Sequence, residues 1–288
     1  MTVLHPGVRQ RARAAVLDDG DRTDLEALLD AAPIVNAVVS ARLRTVDSLQ
    51  PHRLGGAVLG VRDGGTLVGA CFSGGNLLPI GGDPRSWVAL AQLVSRQRRV
   101  CTSIVGAAEA VAVMWPILAQ SWGSARSVRP TQPLLVLDRP LSVEPDSEVR
   151  PAQLGELERY VPAAAAMFAE ELGVSPHVAP GTVFFRERIT ELIRSGRALA
   201  RYDGRGQVIF KAEIGAVSAH TAQVQGVWVR PDLRRRGIGI AAMAAVLHHA
   251  AALAPTVSLY VNDYNTAARR MYARLGMREL TNLSTVLL

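Results

Sequence analysis

The chain has 288 residues, 49% of them hydrophobic and 20% charged, which excludes wholesale disorder and leaves either half long enough to bury its own core. Length alone predicts about two domains. The formal charge is +7, and all but one of the 32 Lys and Arg residues are arginine, Lys211 being the exception. Arginine presents a planar fork of donors that suits phosphate. The charge is nevertheless spread over both halves, so a basic nucleic-acid-binding tail is not expected.

In chain order, the N-terminal stretch carries Arg9, Arg11 and Arg13 with no apolar segment behind them, so a secretory signal is not expected. Residues 24–43 read as helix. The runs 57–61 and 66–72 flank Asp63-Gly64-Gly65 and predict a hairpin, followed by a short strand at Leu77-Leu78. Residues 87–95 read as helix, 100–104 as strand, 107–119 as helix and 134–137 as a closing strand. The longest apolar run, 104–119, contains Glu109 and falls short of the ~20 residues a membrane span needs. Cys71 and Cys101 have no metal-type spacing, so neither a disulfide scaffold nor a metal site is expected, and the protein reads as cytoplasmic.

Charges and prolines crowd Asp138–Asp146, which predicts a linker over 141–148 between domains at 1–140 and 149–288. The second half begins with a short strand at 149–151 and a helix over 154–171. A breaker segment, 173–181, separates this from a helix over 183–195. A hairpin over 198–202 and 208–217 turns at Asp203–Gly206, and a third strand covers 221–229. Helix 238–253, strand 257–261, helix 265–275 and two short final strands complete the chain. The first half echoes this order, which points to a duplicated fold.

The most informative stretch runs from Val227 to Ile240, where a strand leads into Arg234-Arg235-Arg236-Gly237-Ile238-Gly239 and then into an Ala-rich helix. A helix start exposes backbone N–H groups and the positive end of the helix dipole, which together suit a phosphate. Neither a nucleotide P-loop nor a Gly-x-Gly-x-x-Gly dinucleotide loop is present.

Arg234-x-x-Gly237-x-Gly239 resembles the cofactor signature of the GNAT family of N-acetyltransferases. Gln120-Ser-Trp-Gly123-Ser-Ala125 satisfies the same short pattern but leads into no apolar helix. A second segment, Asn265-x-x-Ala268-x-x-x-Tyr272-x-x-x-Gly276-Met277, resembles the family's following helix, with Met277 where Phe is commoner. The resemblance covers about 149–288. It implies an α/β fold of two tandem GNAT-like domains, each a mixed, mostly antiparallel sheet flanked by helices. The overall plan is similar to actinobacterial tandem GNAT proteins with a degenerate N-terminal half.

The same resemblance implies an N-acetyltransferase that moves an acyl group, most often acetyl, from acyl-CoA to a primary amine by direct attack. Val227, Val229, Arg234, Arg235, Arg236, Gly237, Ile238, Gly239, Asn265 and Tyr272 would contact the cofactor, and Tyr272 would act as the acid. Glu213, which strand alternation puts on the face opposite Ala212 and Ile214, is the candidate base. Gln225 stands where many relatives carry Glu, and since an amide cannot accept the proton, a water relay is the alternative to Glu213. Glu170, Glu171 and His177 are candidates for reading the acceptor. In the first half, Gly81-Gly82-Asp83-Pro84 stands at the place of the phosphate loop. Asp83 would repel a pyrophosphate there, and Pro84 lacks an N–H. Nucleic acid and membrane are not expected as partners, and a homo-oligomer is left open. A catalytically weak CoA-binding sensor or scaffold is the rival reading, and a mycothiol-synthase-like acetyl transfer is a lesser alternative. The single lysine also leaves the protein little side-chain target for its own acetylation.

Overall fold

A computed structural model describes residues 13–173 and 181–288. Arg9, Arg11, His177 and most of the 173–181 breaker lie outside the described residues.

Two compact units emerge, one made of residues 13–132 and 281–288, the other of Pro133–Leu280. The first contains strands β1 (Arg13–Val16), β2 (Gly56–Asp63), β3 (Thr66–Gly74), β4 (Asn76–Gly81) and β5 (Ser103–Ala107), with helices α1 (Arg22–Asp30), α2 (Ala37–Leu43), α3 (Pro51–Leu54), α4 (Pro84–Ser95) and α5 (Ala108–Trp122). Strand β6 (Ser127–Leu137) continues from the first unit into the second. The second unit adds β7 (Arg150–Pro151), α6 (Leu157–Leu172), α7 (Gly181–Arg194), β8 (Ala198–Tyr202), β9 (Val208–Val217), β10 (Thr221–Val229), α8 (Ile238–Ala251), β11 (Thr256–Tyr260) and α9 (Thr266–Arg274). The chain ends in β12 (Arg278–Leu287).

Each unit is an α/β structure around a mixed, mostly antiparallel sheet. The first has strand order β1-β2-β3-β4-β5-β12-β6, the second β6-β11-β10-β9-β8-β7. One parallel pair occurs at the same place in each, β4 with β5 and β10 with β11. The strand antiparallel to the fifth is supplied from the other half of the sequence. Residues 283–287 of β12 pair with β5, and residues 134–137 of β6 pair with β11. Two strand expectations change. The 134–137 strand closes the second unit and not the first, and the two short final strands are one continuous strand.

Helices cover both faces of each sheet, as apolar strands buried on both sides require. In the second unit, α8 lies over Phe210, Ala212, Ile214, Ala222 and Val224, while α6 and α7 cover the opposite face with Tyr160, Ile189 and Leu192. In the first unit, α4 and α5 bury Leu90, Val94, Val111 and Met114 against Leu59, Cys71 and Ile104. The other face carries Leu25, Leu29 and Val39 over Val58 and Phe72. The expected single helix over 24–43 is two, α1 and α2, separated by a turn around Pro33. Strand β1 and the short α3 carry too little periodicity to be read from sequence.

Candidate acyl-donor site

The basic loop of the second unit takes a conformation few side chains favour. After a 3-10 turn at Pro231–Leu233, Arg235 has φ 61° and Gly237 has φ 81°. Gly237 is the N-cap of α8, and no side chain among the described residues caps that end. The first turn also carries no acidic residue. The first N–H groups of α8 and the positive end of its dipole are therefore available to an anion. A Cβ at Gly237 would meet nothing within 4 Å. Arg235, Arg236 and Gly237 are exposed, and Ile238 is half-buried. Gly239 has a packing role, because a Cβ there would stand 3.4 Å from the Met271 sulfur and 3.6 Å from Val229.

Arg234 turns back from the loop. Its Nε donates to the Val229 carbonyl at 2.9 Å and its terminal nitrogen to Glu170 at 2.6 Å. Trp228 Nε1 donates to the other Glu170 oxygen at 3.0 Å. Glu170 thus clasps the end of β10 and the start of the loop to the end of α6. Arg230 adds ion pairs to Asp203 and Asp232.

Strands β10 and β11 pair in parallel only from Thr221↔Thr256 to Gln223↔Ser258, then part company. On its other side β10 is bulged. Gln225 faces Glu213 and Trp228 faces Lys211, so Gly226 and Val227 together oppose Ala212. A bulge of this kind takes one residue's main-chain groups out of the ladder. Gly226 has φ 59°, and an isolated glycine inside a strand pattern was a sequence signal for this bulge.

Behind the bulge lies a buried polar cluster. Lys211 is fully buried and donates to Glu213 at 2.5 Å, and Gln225 Nε2 donates to the second Glu213 oxygen at 3.3 Å. Strand alternation does place Glu213 on the face opposite Ala212 and Ile214, but there it is enclosed. Tyr272 is the buried residue of α9, and Asn265 caps that helix by accepting from the Ala268 N–H at 3.2 Å. Burial, reinforced by the charge of Glu171, pushes the Tyr272 phenol well above its ordinary range. His220 sits in the β9–β10 turn, and His248 and His249 occupy the last turn of α8, the end opposite the loop.

The first unit fills the corresponding places with its own atoms. Asp83 caps α4 by accepting from the Ser86 N–H at 2.8 Å, and the Ser86 hydroxyl and amide hold its carboxyl below the ordinary carboxylate range. Trp87 Nε1 donates to the Gly81 carbonyl at 2.8 Å, and a Cβ on Gly82 would strike that indole at 2.7 Å. Where β4 and β5 leave their short pairing, Pro79 lies 2.9 Å from the position of a Cβ on Gly106. The other short motif, Gln120–Ala125, falls at the C-terminal end of α5, where helix carbonyls and not N–H groups are exposed.

Residues 158–277 match the Acetyltransferase (GNAT) family. Those residues of the second unit are thus matched as a GNAT acetyltransferase domain. Residues 56–160 match a family described as a domain of unknown function, DUF4081. No curated protein matches the sequence. Among solved structures, a Drosophila protein is similar at 16% identity and a TM-score of 0.66, covering 96% of this chain and 99% of that one. A GCN5-related N-acetyltransferase from Sphaerobacter thermophilus, also at 16% identity, gives 0.60 over 96% of this chain and 95% of its own. A tandem GNAT protein from the clavulanic acid biosynthesis pathway, at 15% identity, gives 0.52 over 95% and 97%. These likenesses cover both halves of the chain and show a shared fold, consistent with tandem domains. The GNAT family uses acetyl-CoA as cosubstrate. Among the described residues, no group of three or more His, Cys, Asp or Glu is placed to hold a metal ion, and no helix is long and apolar enough to cross a membrane.

Three features of the GNAT domain escaped sequence reasoning: the Gly226 bulge, the Glu170 clasp and the Lys211–Glu213 ion pair. The last two join residues far apart in sequence or on a buried face, and only the rarity of lysine marked one of them.

Proposed function

We propose that the second unit is an acetyl-CoA-dependent N-acetyltransferase acting on a primary amine. The observation that carries this reading is the uncapped, glycine-led start of α8 beside two parallel strands that part after three residue pairs. Acetyl-CoA supplies the activated acetyl thioester. Arg235, Arg236 and the N–H groups of Gly237, Ile238 and Gly239 would hold its phosphates, while Arg234 fixes the loop. The main chain at Val227 and Val229 would hold the pantetheine arm, with Asn265 setting the start of the neighbouring helix. Tyr272 is the proton donor to the leaving thiolate; a phenol carries its proton at neutral pH, and burial only raises its pKa further. Glu213, on β9, is the carboxylate beside the bulge of β10, with an oxygen 3.3 Å from the position of a Cβ on Gly226. Because Lys211 and Gln225 already engage both its oxygens, proton removal from the amine runs by water toward it and not by direct contact.

The first unit is proposed to bind no CoA, since Asp83, Trp87 and Pro79 take the places a cofactor would need. Cys71 and Cys101 are free and buried, which fits a cytoplasmic setting. A CoA-binding sensor is the second reading, favoured by the engagement of Glu213 and the amide at Gln225. Titration with acetyl-CoA, followed by a screen of amines and peptides for acetyl transfer, separates the two. Binding with transfer supports the enzyme, binding without any transfer supports the sensor, and absence of binding refutes both.

A further inference from the structure

We infer that Lys211 is a positioning residue for the acyl donor, its ion pair with Glu213 holding the Gly226–Val227 bulge in place. The inference rests on the acetyl-CoA reading of the second unit. In a chain that uses arginine almost everywhere, the single lysine is a fully buried cation on the strand facing the bulge. The two members of the pair face the two ends of the bulge, Glu213 opposite Gln225 and Lys211 opposite Trp228. Lying two apart on β9, their side chains share a face and bridge beneath Gly226 and Val227.

The packing there is close. A Cβ on Gly226 would stand 2.9 Å from the Lys211 nitrogen, 3.1 Å from Met167 Cε and 3.3 Å from a Glu213 oxygen. The Lys211 nitrogen also lies 5.7 Å from the ring centre of buried Tyr160, whose hydroxyl donates to the Ala212 carbonyl at 3.4 Å. A compact ammonium suits this space. A guanidinium is larger, planar and carries five donors that would need partners in a buried site. The glycine and the lysine are therefore matched. One has no side chain so that the strand can pass over the ammonium, and the other carries the more compact of the two basic head groups. Without the pair, β10 can relax toward regular pairing with β9, which returns the bulged main-chain groups to the ladder. The phosphate loop, with its own anchors at Val229, Glu170, Asp203 and Asp232, stays as it is.

The test uses the full chain and calorimetric titration with two ligands: acetyl-CoA, and 3′,5′-ADP, which carries phosphates but no pantetheine. Lys211→Met alone leaves a buried unpaired carboxylate, so the informative variant is Lys211→Met with Glu213→Leu, in which an apolar pair replaces the ion pair and the fold is retained. Acetyl-CoA affinity is expected to fall at least tenfold, with 3′,5′-ADP within threefold of wild type. Lys211→Arg is expected to show the same selective loss, and Gly226→Ala tests the bulge from its other side should the double variant not fold. Acetyl-CoA affinity within threefold of wild type in folded variants overturns the inference, and so does an equal loss for both ligands. Wild-type protein that binds neither ligand overturns the cofactor reading itself, and the inference with it.

Discussion

Gly237 offers a way to separate backbone strain from charge at the proposed phosphate site. With φ at 81° and open space around a hypothetical Cβ, Gly237→Ala meets no steric clash, only the cost of a left-handed conformation. That cost is about 1–2 kcal/mol, which lowers the melting temperature by a few degrees. Gly237→Glu pays the same strain and adds a carboxylate at the helix end. At about 5 Å from a phosphate and an effective dielectric of about 20, one like-charge contact costs about 3 kcal/mol, and solvent exposure reduces this to about 2. The Glu variant should therefore bind acetyl-CoA on the order of 30-fold more weakly than the Ala variant, with similar thermal stability. Calorimetry and thermal melts on the two variants make the comparison. Equal affinities for Ala and Glu would mean that no phosphate lies at the start of α8, and the loop would lose its assigned role.

Other predictions concern both units. Tyr272→Phe should keep acetyl-CoA affinity within threefold and lower the acetyl-transfer rate at least 100-fold, measured by thiol release; an unchanged rate removes Tyr272 as the acid. Asp83→Ala should cost about 1 kcal/mol through loss of the α4 cap and should create no second CoA site, and a stoichiometry of two in calorimetry would contradict the filled-site reading. Glu156 accepts two hydrogen bonds from Arg150, which lead in holding its pKa at about 2. Its folded-state pKa is depressed, so its stabilisation is present above the ordinary value of 4.5 and is lost as pH falls toward 2. Glu156→Gln should be less stable at pH 7, by on the order of 1–2 kcal/mol, and should lose less on acidification, as denaturant melts at pH 7 and pH 3 will show. A fragment of residues 133–280 should fold more stably than 146–280, because the longer one keeps Leu135 and Leu137 in the core and a partner for β11. Burying those two leucines contributes about 3–5 kcal/mol, and equal melting temperatures would argue against the strand exchange.

Much of the second unit was legible because its signals are local. The loop from Arg230 to Gly239 has strand, glycines and helix in one continuous stretch, and Asn265 caps its helix within three residues. The hairpin turn at Asp203–Gly206 and the apolar period of α6 are likewise written in neighbouring residues. The bulge was partly legible, since Gly226 interrupts a strand, but its extent depends on the register against β9. The side chain of Arg234 sits within the phosphate motif by sequence and yet bonds Glu170, sixty-four positions away. Glu213 alternates as a strand residue should, while its burial depends on α6 lying above it, which periodicity in β9 does not report.

The residues alone pointed to one fold written twice, to a strand running through a basic glycine loop into a helix in the second half, and to Asp83 and Pro84 at that loop's place in the first. These follow from short-range rules: helix ends need caps, strands alternate, and Asp83 or Pro84 cannot serve where an anion must meet N–H groups. Which strand closes which sheet is visible only in the folded chain. Residues 134–137 and 283–287 both read as short strands near the end of their half, and local propensity does not say which parallel strand either will pair with. Long-range backbone pairing and burial choose between them, so each unit takes its closing strand from the other half. The lone lysine shows the same division: its rarity is a fact of composition, and its place beneath the bulge comes from strand register.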